Sequence, residues 1–307
     1  MSKEIAFIFP GQGSQIIGMG KDFYEKSLIA KDIFKKASER LNIDMQSLMF
    51  EENEDLNETE FAQPAILLVS VIAFKLFQEN IKITPKFALG HSLGEITSLI
   101  SVGALDMYDA LDLVRERGLL MKKACEDKNA GMMVVIGLDD EKAKAVCEEA
   151  RKNGKQIWAA NYNSDGQIVV AGTKDDLNEY ADKFKEAGAK RAILLAMSVA
   201  SHCPLLKSAQ NPLKEKLEIF IKDEFSAPII SNVNARAYIG KKEAVDLLEK
   251  QLVSPVLYKQ SISEQKIDAF IEFGGSVLKG LNKRLNEAPT YSITDMATLE
   301  ETLKITR

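Results

Sequence analysis

Short apolar runs recur along the chain and are separated by segments with helical periodicity. Residues 5–9 are continuously apolar until Pro10 and Gly11, the pattern of a strand buried on both faces. The pattern continues with predicted strands at 87–89 and 269–273 and predicted helices at 63–79, 95–105 and 108–123. Pro64 would then occupy the first turn of its helix. Strands that alternate with helices predict a parallel sheet covered on both faces.

The order of elements changes between residues 129 and 196. This stretch is predicted to contain a strand at 132–136, a helix at 140–152, strands at 157–161 and 167–171 around a turn at 163–166, a helix at 174–187 and a strand at 191–195. The order β-α-β-β-α-β is that of the ferredoxin-like unit. We therefore predict an α/β protein with an α/β-hydrolase-like large domain (1–128 and 197–307), built on a parallel sheet, and an inserted ferredoxin-like small domain (129–196).

Composition narrows the class of protein. Of 307 residues, 46% are hydrophobic and 28% charged, a balance typical of soluble globular proteins. The net charge of −5, without any basic block, gives no indication of a nucleic-acid-binding surface. Cys125, Cys147 and Cys203 form no CxxC pair, which argues against a disulfide framework and a zinc site and fits a reducing compartment.

The length of the apolar runs also indicates where in the cell the protein is located. Only five apolar residues precede Pro10, too few for the core of a signal peptide, and no later run suggests the length of a membrane span. We therefore expect a cytoplasmic protein that contacts no membrane. We also expect a monomer that binds neither nucleic acid nor metal.

A candidate nucleophile lies between the second predicted strand and the helix after it. Gly90-His91-Ser92-Leu93-Gly94 matches the G-x-S-x-G turn in the strand–helix context that this motif requires. The turn would expose Ser92 at a helix N-terminus, where the N–H of Leu93 is a natural donor to an oxyanion. A glycine-rich turn that only permits close packing is the structural alternative.

The two histidines of the chain supply the candidate bases. His91 is adjacent to Ser92, and neighbouring side chains on a tight turn generally diverge, so it is a poor base. His202 follows the predicted small domain in a loop-like stretch, and its distance in sequence does not prevent proximity in space. We therefore predict His202 as the general base for Ser92.

Several motifs in order carry a resemblance to a known family. They are Phe9-Pro10-Gly11-Gln12-Gly13-Ser14-Gln15, Gly90-His91-Ser92-Leu93-Gly94-Glu95, Arg117-Gly118, Ser201-His202 and Gly274-Gly275-x-Val277-Leu278. Across essentially its whole length the chain resembles the malonyl-CoA:acyl carrier protein transacylases. The resemblance implies transfer of a malonyl group from malonyl-CoA to the phosphopantetheine thiol of acyl carrier protein through a malonyl-serine, for fatty acid biosynthesis, with no cofactor.

The resemblance also implies roles for individual residues. Ser92 would be the nucleophile and His202 the base, and the backbone N–H of Gln12 would complete the oxyanion hole with that of Leu93. Gln251 would orient the histidine through its backbone carbonyl.

Two further positions would bind the acyl group. Arg117 would bind the malonyl carboxylate, and Gln63 would line the pocket. The planar guanidinium suits bidentate binding of a carboxylate, although the residues alone do not distinguish Arg117 from Arg115.

The sequence departs from the family's usual motifs at two places, and two other functions are compatible with the same residues. Gly274-Gly275-Ser276 replaces a common Gly-Pro-Gly, and Val199-Ala200-Ser201 replaces a common Val-Pro-Ser at a place that varies with acyl choice. A thioesterase or carboxylesterase could use the same serine and histidine. A non-catalytic binding protein could retain the fold, although the joint presence of Ser92, His202 and Arg117 argues against it.

Overall fold

The computed structural model describes residues 3–306 and contains two sheets flanked by helices. The strands are β1 (Ile5–Phe9), β2 (Phe87–Gly90), β3 (Ala130–Ile136), β4 (Ile157–Ser164), β5 (Gln167–Thr173), β6 (Arg191–Leu194), β7 (Ile229–Ile230), β8 (Ala237–Tyr238), β9 (Ala269–Phe273) and β10 (Thr290–Ile293). The helices are α1 (Lys21–Lys26), α2 (Leu28–Leu41), α3 (Met45–Phe50), α4 (Thr59–Asn80), α5 (Leu93–Ser101), α6 (Met107–Cys125), α7 (Asp140–Lys152), α8 (Lys174–Glu186), α9 (Gln210–Phe220), α10 (Lys241–Gln251), α11 (Tyr258–Ser263), α12 (Val277–Asn282) and α13 (Met296–Thr306). Short 3-10 turns span Asp55–Asn57 and Pro204–Ala209.

The larger sheet has six strands in the order β10-β9-β1-β2-β7-β8. All neighbouring strands are parallel except β7 and β8. The predicted α/β class with a parallel sheet is therefore confirmed. Every residue of β1 is buried, as expected for a central strand covered on both faces. The carboxyl ends of β1, β2 and β9 meet at one edge, and the glycine-containing motifs follow these three strands.

The smaller sheet is antiparallel throughout, in the order β4-β5-β3-β6. Because side chains alternate along a strand, its two faces bury different residues. Met133 and Val170 pack into a separate core with α7 and α8. Met132 and Val169, on the opposite face, belong to the main hydrophobic core. The smaller sheet is thus sandwiched between its own helices and the larger unit.

Helix α4 begins four residues before the predicted start, so the expectation that Pro64 lies in its first turn is wrong. A proline inside a helix lacks the N–H that would bond the carbonyl four residues earlier, here that of Glu60. Arg115 Nη1 donates to this carbonyl at 2.6 Å, and the guanidinium lies 4.3 Å from the centre of the Phe61 ring. This external donor replaces the missing hydrogen bond.

Helix α4 also corrects the expectation about membrane-length runs. Among residues 3–306 it alone has the length and composition to span a bilayer, with a mean hydropathy of 1.6 over its most apolar window. In the structure, 83% of that window is buried inside the protein. The helix packs against α5, α6 and β9, so its apolarity reflects a place in the core.

Other differences from the predicted elements have local causes. The turn predicted at 163–166 contracts to Asp165-Gly166, because β4 continues to Ser164 and Gly166 adopts a φ of 67°. The helix predicted at 95–105 begins directly after Ser92 and ends at Ser101. Strands β7 and β8 have two residues each, too few for a periodic pattern to reveal them.

Candidate active site

Ser92 occupies a sharp turn between β2 and α5. Its backbone has φ 53° and ψ −104°, a conformation that residues with a side chain rarely adopt. A Cβ on Gly90 would overlap the backbone of Gly94, and a Cβ on Gly94 would overlap the carbonyl of Phe9. The two glycines are therefore required for the turn to pack against itself and against β1.

Gly94→Ala tests this packing. The variant is expected to lose about 1–3 kcal/mol of unfolding free energy, because the backbone must shift to relieve the overlap. This loss outweighs the gain of up to about 1 kcal/mol that alanine has over glycine inside a helix. In the matched control Gly280→Ala, a Cβ meets open space within α12, so stability should hold or rise. Denaturant unfolding measures both, and similar changes for the two variants would contradict the argument.

Asn232, in the loop after β7, holds the turn in place and is not among the residues predicted for the site. Its side-chain oxygen accepts the N–H of Ser92 at 2.7 Å, and its side-chain nitrogen donates to the carbonyl of Gly90 at 2.7 Å. The residue is fully buried. It therefore fixes the backbone on both sides of His91. A single asparagine in a loop gives no sequence signal for such a role.

His202 lies within hydrogen-bonding distance of Ser92. Its Nε2 is 2.8 Å from Ser92 Oγ, and its Nδ1 is 2.8 Å from the backbone carbonyl of Gln251. Because that carbonyl can only accept, Nδ1 carries the proton and Nε2 is free to accept from the serine. Burial, and secondarily the charge of Arg117, lower the pKa of His202 to about 3. The ring is therefore neutral at physiological pH, the state that a general base needs.

Arg117 projects from α6 into the same place and is 2% exposed. Its Nη2 donates to Ser92 Oγ at 3.0 Å and to Gln251 Oε1 at 3.1 Å, and its Nη1 donates to Gln63 Oε1 at 2.8 Å. Its Nε has no partner among the described residues and is buried. Burial lowers the pKa of Arg117 to about 10, which still leaves it charged at neutral pH. Arg115, two residues away, points out to Glu60, so the two arginines are clearly distinguished.

The remaining predicted site residues surround this group. The backbone of Gln251 contacts the histidine, as described, while its side chain contacts Arg117. Gln63 is fully buried, and its Oε1 accepts from Arg117 Nη1, so it lies behind the guanidinium rather than among the residues that border the cavity. Gln12 and Leu93 both border the cavity, and the side chain of Gln12 donates to Thr59 at 3.1 Å.

A cavity of about 120 Å³ opens over Ser92 and His202. Its wall is shared by the larger unit, which contains the parallel sheet, and the smaller unit, which contains the antiparallel sheet. The larger unit contributes Gln12, His91, Leu93, Arg117, Met121 and Ser201, and the smaller unit contributes Met132, Asn161, Asn163 and Val169, with Leu195 and Met197 from the segment between them. This small, mixed polar and apolar chamber fits a short acyl group. No cluster of three potential metal ligands occurs within residues 3–306.

His91 takes a different role from His202. Its Nε2 is 2.8 Å from Asn163 Oδ1, across the junction of the two units. Its ring lies 5.6 Å from that of Tyr258. The side chain thus points away from Ser92 Oγ and bridges the two sheets, in agreement with the sequence argument against it as base.

The fold and this serine–histidine–arginine arrangement fit an acyltransferase, and a family model supports the same class. The family model described as the acyl transferase domain matches residues 6–283. The chain is 42% identical to the malonyl CoA-acyl carrier protein transacylase of Bacillus subtilis (strain 168), over 99% of this chain and 98% of the relative. The chain belongs to the malonyl CoA-acyl carrier protein transacylase family.

Solved structures agree with this assignment. The crystal structure of malonyl-CoA:acyl carrier protein transacylase from Helicobacter pylori is similar with a TM-score of 0.96 and 46% identity, covering 99% of each chain. A malonyl-transacylase in complex with its type II PKS acyl-carrier protein is similar with a TM-score of 0.93 and 36% identity, covering 98% of this chain and 99% of that one. The likeness therefore extends over both sheets.

Proposed function

We propose that this protein transfers the malonyl group of malonyl-CoA to the phosphopantetheine thiol of acyl carrier protein, for fatty acid biosynthesis. The observation that carries the malonyl assignment is Arg117. Its guanidinium is buried 3.0 Å from Ser92 Oγ, and it forms no ion pair with any carboxylate among the described residues. A buried guanidinium with no direct ion pair is costly. An acyl group with a free carboxylate supplies a direct partner.

The reaction proceeds in two balanced halves with Ser92 as nucleophile. In the first, Ser92 Oγ attacks the thioester carbonyl while its proton passes to His202 Nε2, and the departing thiolate of coenzyme A takes that proton. In the second, the carrier-protein thiol gives its proton to His202 and attacks the malonyl-serine ester. Ser92 then leaves and recovers the proton. The cycle is ping-pong.

The oxyanion hole is assigned to the backbone N–H groups of Leu93 and Gln12. The N–H of Ser92 is occupied by Asn232, so it is not available to the substrate. Leu93 is the first residue of α5, and the first N–H groups of a helix have no partner within the helix. Gln12 borders the same cavity from the turn after β1. The positive end of α5 adds to the stabilisation of developing negative charge.

The proposed reaction requires no cofactor, because the thioester is already activated and phosphopantetheine is carried by the partner. We propose a cytoplasmic monomer that binds neither membrane nor nucleic acid. Three unpaired cysteines support a reducing compartment.

We assign the smaller unit to the ferredoxin-like class and the larger to the α/β-hydrolase-like class. The β-α-β-β-α-β order of β3 to β6 with α7 and α8 supports the first assignment. The strand–turn–helix at Ser92 supports the second. Domain boundaries at 129 and 196 are supported by the start of β3 at Ala130 and the end of β6 at Leu194.

Intact-mass spectrometry after exposure to malonyl-CoA tests the proposed function. The protein should gain one malonyl group, mapped by peptide sequencing to Ser92, and should lose it when acyl carrier protein bearing phosphopantetheine is added. Ser92→Ala should gain nothing. Steady release of free malonate without an adduct would instead indicate a hydrolase, and absence of both adduct and turnover would indicate a binding protein.

A further inference from the structure

A second buried charge lies behind the site and has no part in the reaction as described. Glu95, in the first turn of α5, is fully buried. Its Oε2 accepts the backbone N–H of Asn232 at 2.9 Å and the side-chain N–H of Gln251 at 2.8 Å. Its Oε1 is buried and has no hydrogen-bond partner among residues 3–306. The Tyr238 hydroxyl of β8, which lowers the pKa of this carboxyl, likewise has no hydrogen-bond partner among these residues.

The side chain of Gln251 connects Glu95 to Arg117. Its Nε2 donates to Glu95, while its Oε1 accepts from Arg117 Nη2 at 3.1 Å. A carboxylate bound to one end of an amide polarises it and makes the other end a better acceptor for a cation. The carboxylate and the guanidinium are therefore joined through one amide, without a direct ion pair.

We propose that Glu95 is the buried counterion of Arg117, acting through the Gln251 amide, and that it takes up a proton when an acyl carboxylate docks on Arg117. The inference rests on the proposed function, because it requires a carboxylate-bearing donor. Glu95 would act as a positioning residue, since it has no contact with the cavity.

The electrostatics of the pocket support the proposal. Burial raises the pKa of Glu95 to about 7, against the lowering effects of Asn232, Gln251, Tyr238 and Arg117. The other titratable group held by Gln251, His202, is neutral in this range because its pKa is about 3. Near neutral pH, Glu95 is thus divided between its two charge states. A substrate carboxylate adds negative charge at Arg117, which favours the protonated form of Glu95.

Docking of a carboxylate on Arg117 and protonation of Glu95 favour each other. At pH 7 docking shifts Glu95 toward its protonated form, so the protein takes up a fraction of a proton, at most about half. Above pH 7 the Glu95 carboxyl is ionised before docking. It must then either take up a proton or remain charged near the docked malonyl carboxylate. The affinity for a malonyl donor should therefore fall by up to about tenfold per pH unit.

Calorimetric titration measures this proton directly. Ser92→Ala protein, which cannot be acylated at residue 92, is titrated with malonyl-CoA at pH 7 in two buffers of different ionisation enthalpy. Acetyl-CoA is the matched ligand, because it carries the same coenzyme A phosphates and lacks the carboxylate. Uptake is expected with malonyl-CoA in excess of that with acetyl-CoA.

Two variants in the Ser92→Ala background isolate the carboxyl. Glu95→Gln keeps an acceptor for Asn232 and Gln251 and can turn its amide toward Tyr238, so it removes the charge while preserving the hydrogen bonds. It should abolish the excess uptake. Tyr238→Phe removes the hydroxyl that lowers the pKa of Glu95, and should move the maximum of uptake to higher pH.

The outcomes separate this proposal from the proposed function. Malonyl-CoA binding without excess uptake, or uptake that persists in Glu95→Gln, would overturn the role of Glu95 and leave malonyl transfer intact. Failure of malonyl-CoA to bind at all would contradict both. Excess uptake that is lost in Glu95→Gln and shifted in Tyr238→Phe would support the proposal.

Discussion

His202→Ala is expected to lower kcat/KM for malonyl transfer by about 1,000-fold, within the range that a positioned general base contributes. The imidazole Nε2 is 2.8 Å from Ser92 Oγ, and the backbone carbonyl of Gln251 fixes its tautomer. Without it, Ser92 Oγ keeps only Arg117 as a hydrogen-bond partner within residues 3–306, and a guanidinium can only donate. The measurement is the initial rate of malonyl transfer to acyl carrier protein at subsaturating malonyl-CoA.

His91→Ala is the matched control for this variant. It removes the other histidine of the chain, which faces Asn163 rather than Ser92 Oγ. A far smaller loss is expected, because only the contact between the two units is weakened. Equal losses for the two variants would show that proximity to the turn, and not base catalysis, explains the effect.

Arg117→Ala is expected to lower kcat/KM for malonyl-CoA by about 100- to 10,000-fold while acetyl transfer is unchanged or raised. The first effect is the loss of a charge-assisted pair of hydrogen bonds to the acyl carboxylate, each contributing about 1.5–3 kcal/mol. The second arises because the guanidinium is one of the causes that lower the pKa of His202, so its removal makes the imidazole a stronger base. Transfer rates from the two donors measure the selectivity.

Arg115→Ala, two residues along the same helix, is the control for Arg117. It removes the donor to the Glu60 carbonyl beside Pro64, so thermal unfolding should occur at a lower temperature. The preference for malonyl over acetyl donors should be unchanged. The carboxylate role of Arg117 would be wrong if its alanine variant lost activity equally with both donors.

The sequence predicts a strand or helix well where a single hydrophobic pattern runs along the whole element. Strand β9 and helix α7 have the predicted bounds, because each is a clear apolar or amphipathic run between turn residues. Helix α4 shows where such reasoning fails. Pro64 indicated a helix start on local grounds, whereas Arg115, 51 positions later, supplies a donor that no local rule can foresee.

Some residues of the candidate site can likewise be predicted from the sequence, and others cannot. Ser92 is predicted from the glycines on either side of it, which a sharp turn requires. His202 is predicted by elimination, because the chain has only two histidines. Asn232 and Glu95 were missed as parts of the site, since each acts through a partner that is distant in sequence. Glu95 was visible only as an acidic residue in a first helical turn, which is common at helix N-termini.

The place of β1 in the larger sheet has a consequence for biosynthesis. Strand β1 ends at Phe9, yet one of its two neighbours, β9, begins at Ala269, so all residues between them are made before these two strands can pair. At about 5–20 residues per second, one apolar edge stays unpaired for on the order of ten seconds or more. An open strand edge is a template for pairing with other chains. Yield in the cell should therefore depend on how promptly translation proceeds from β1 to β9, and on chaperones that cover the nascent edge.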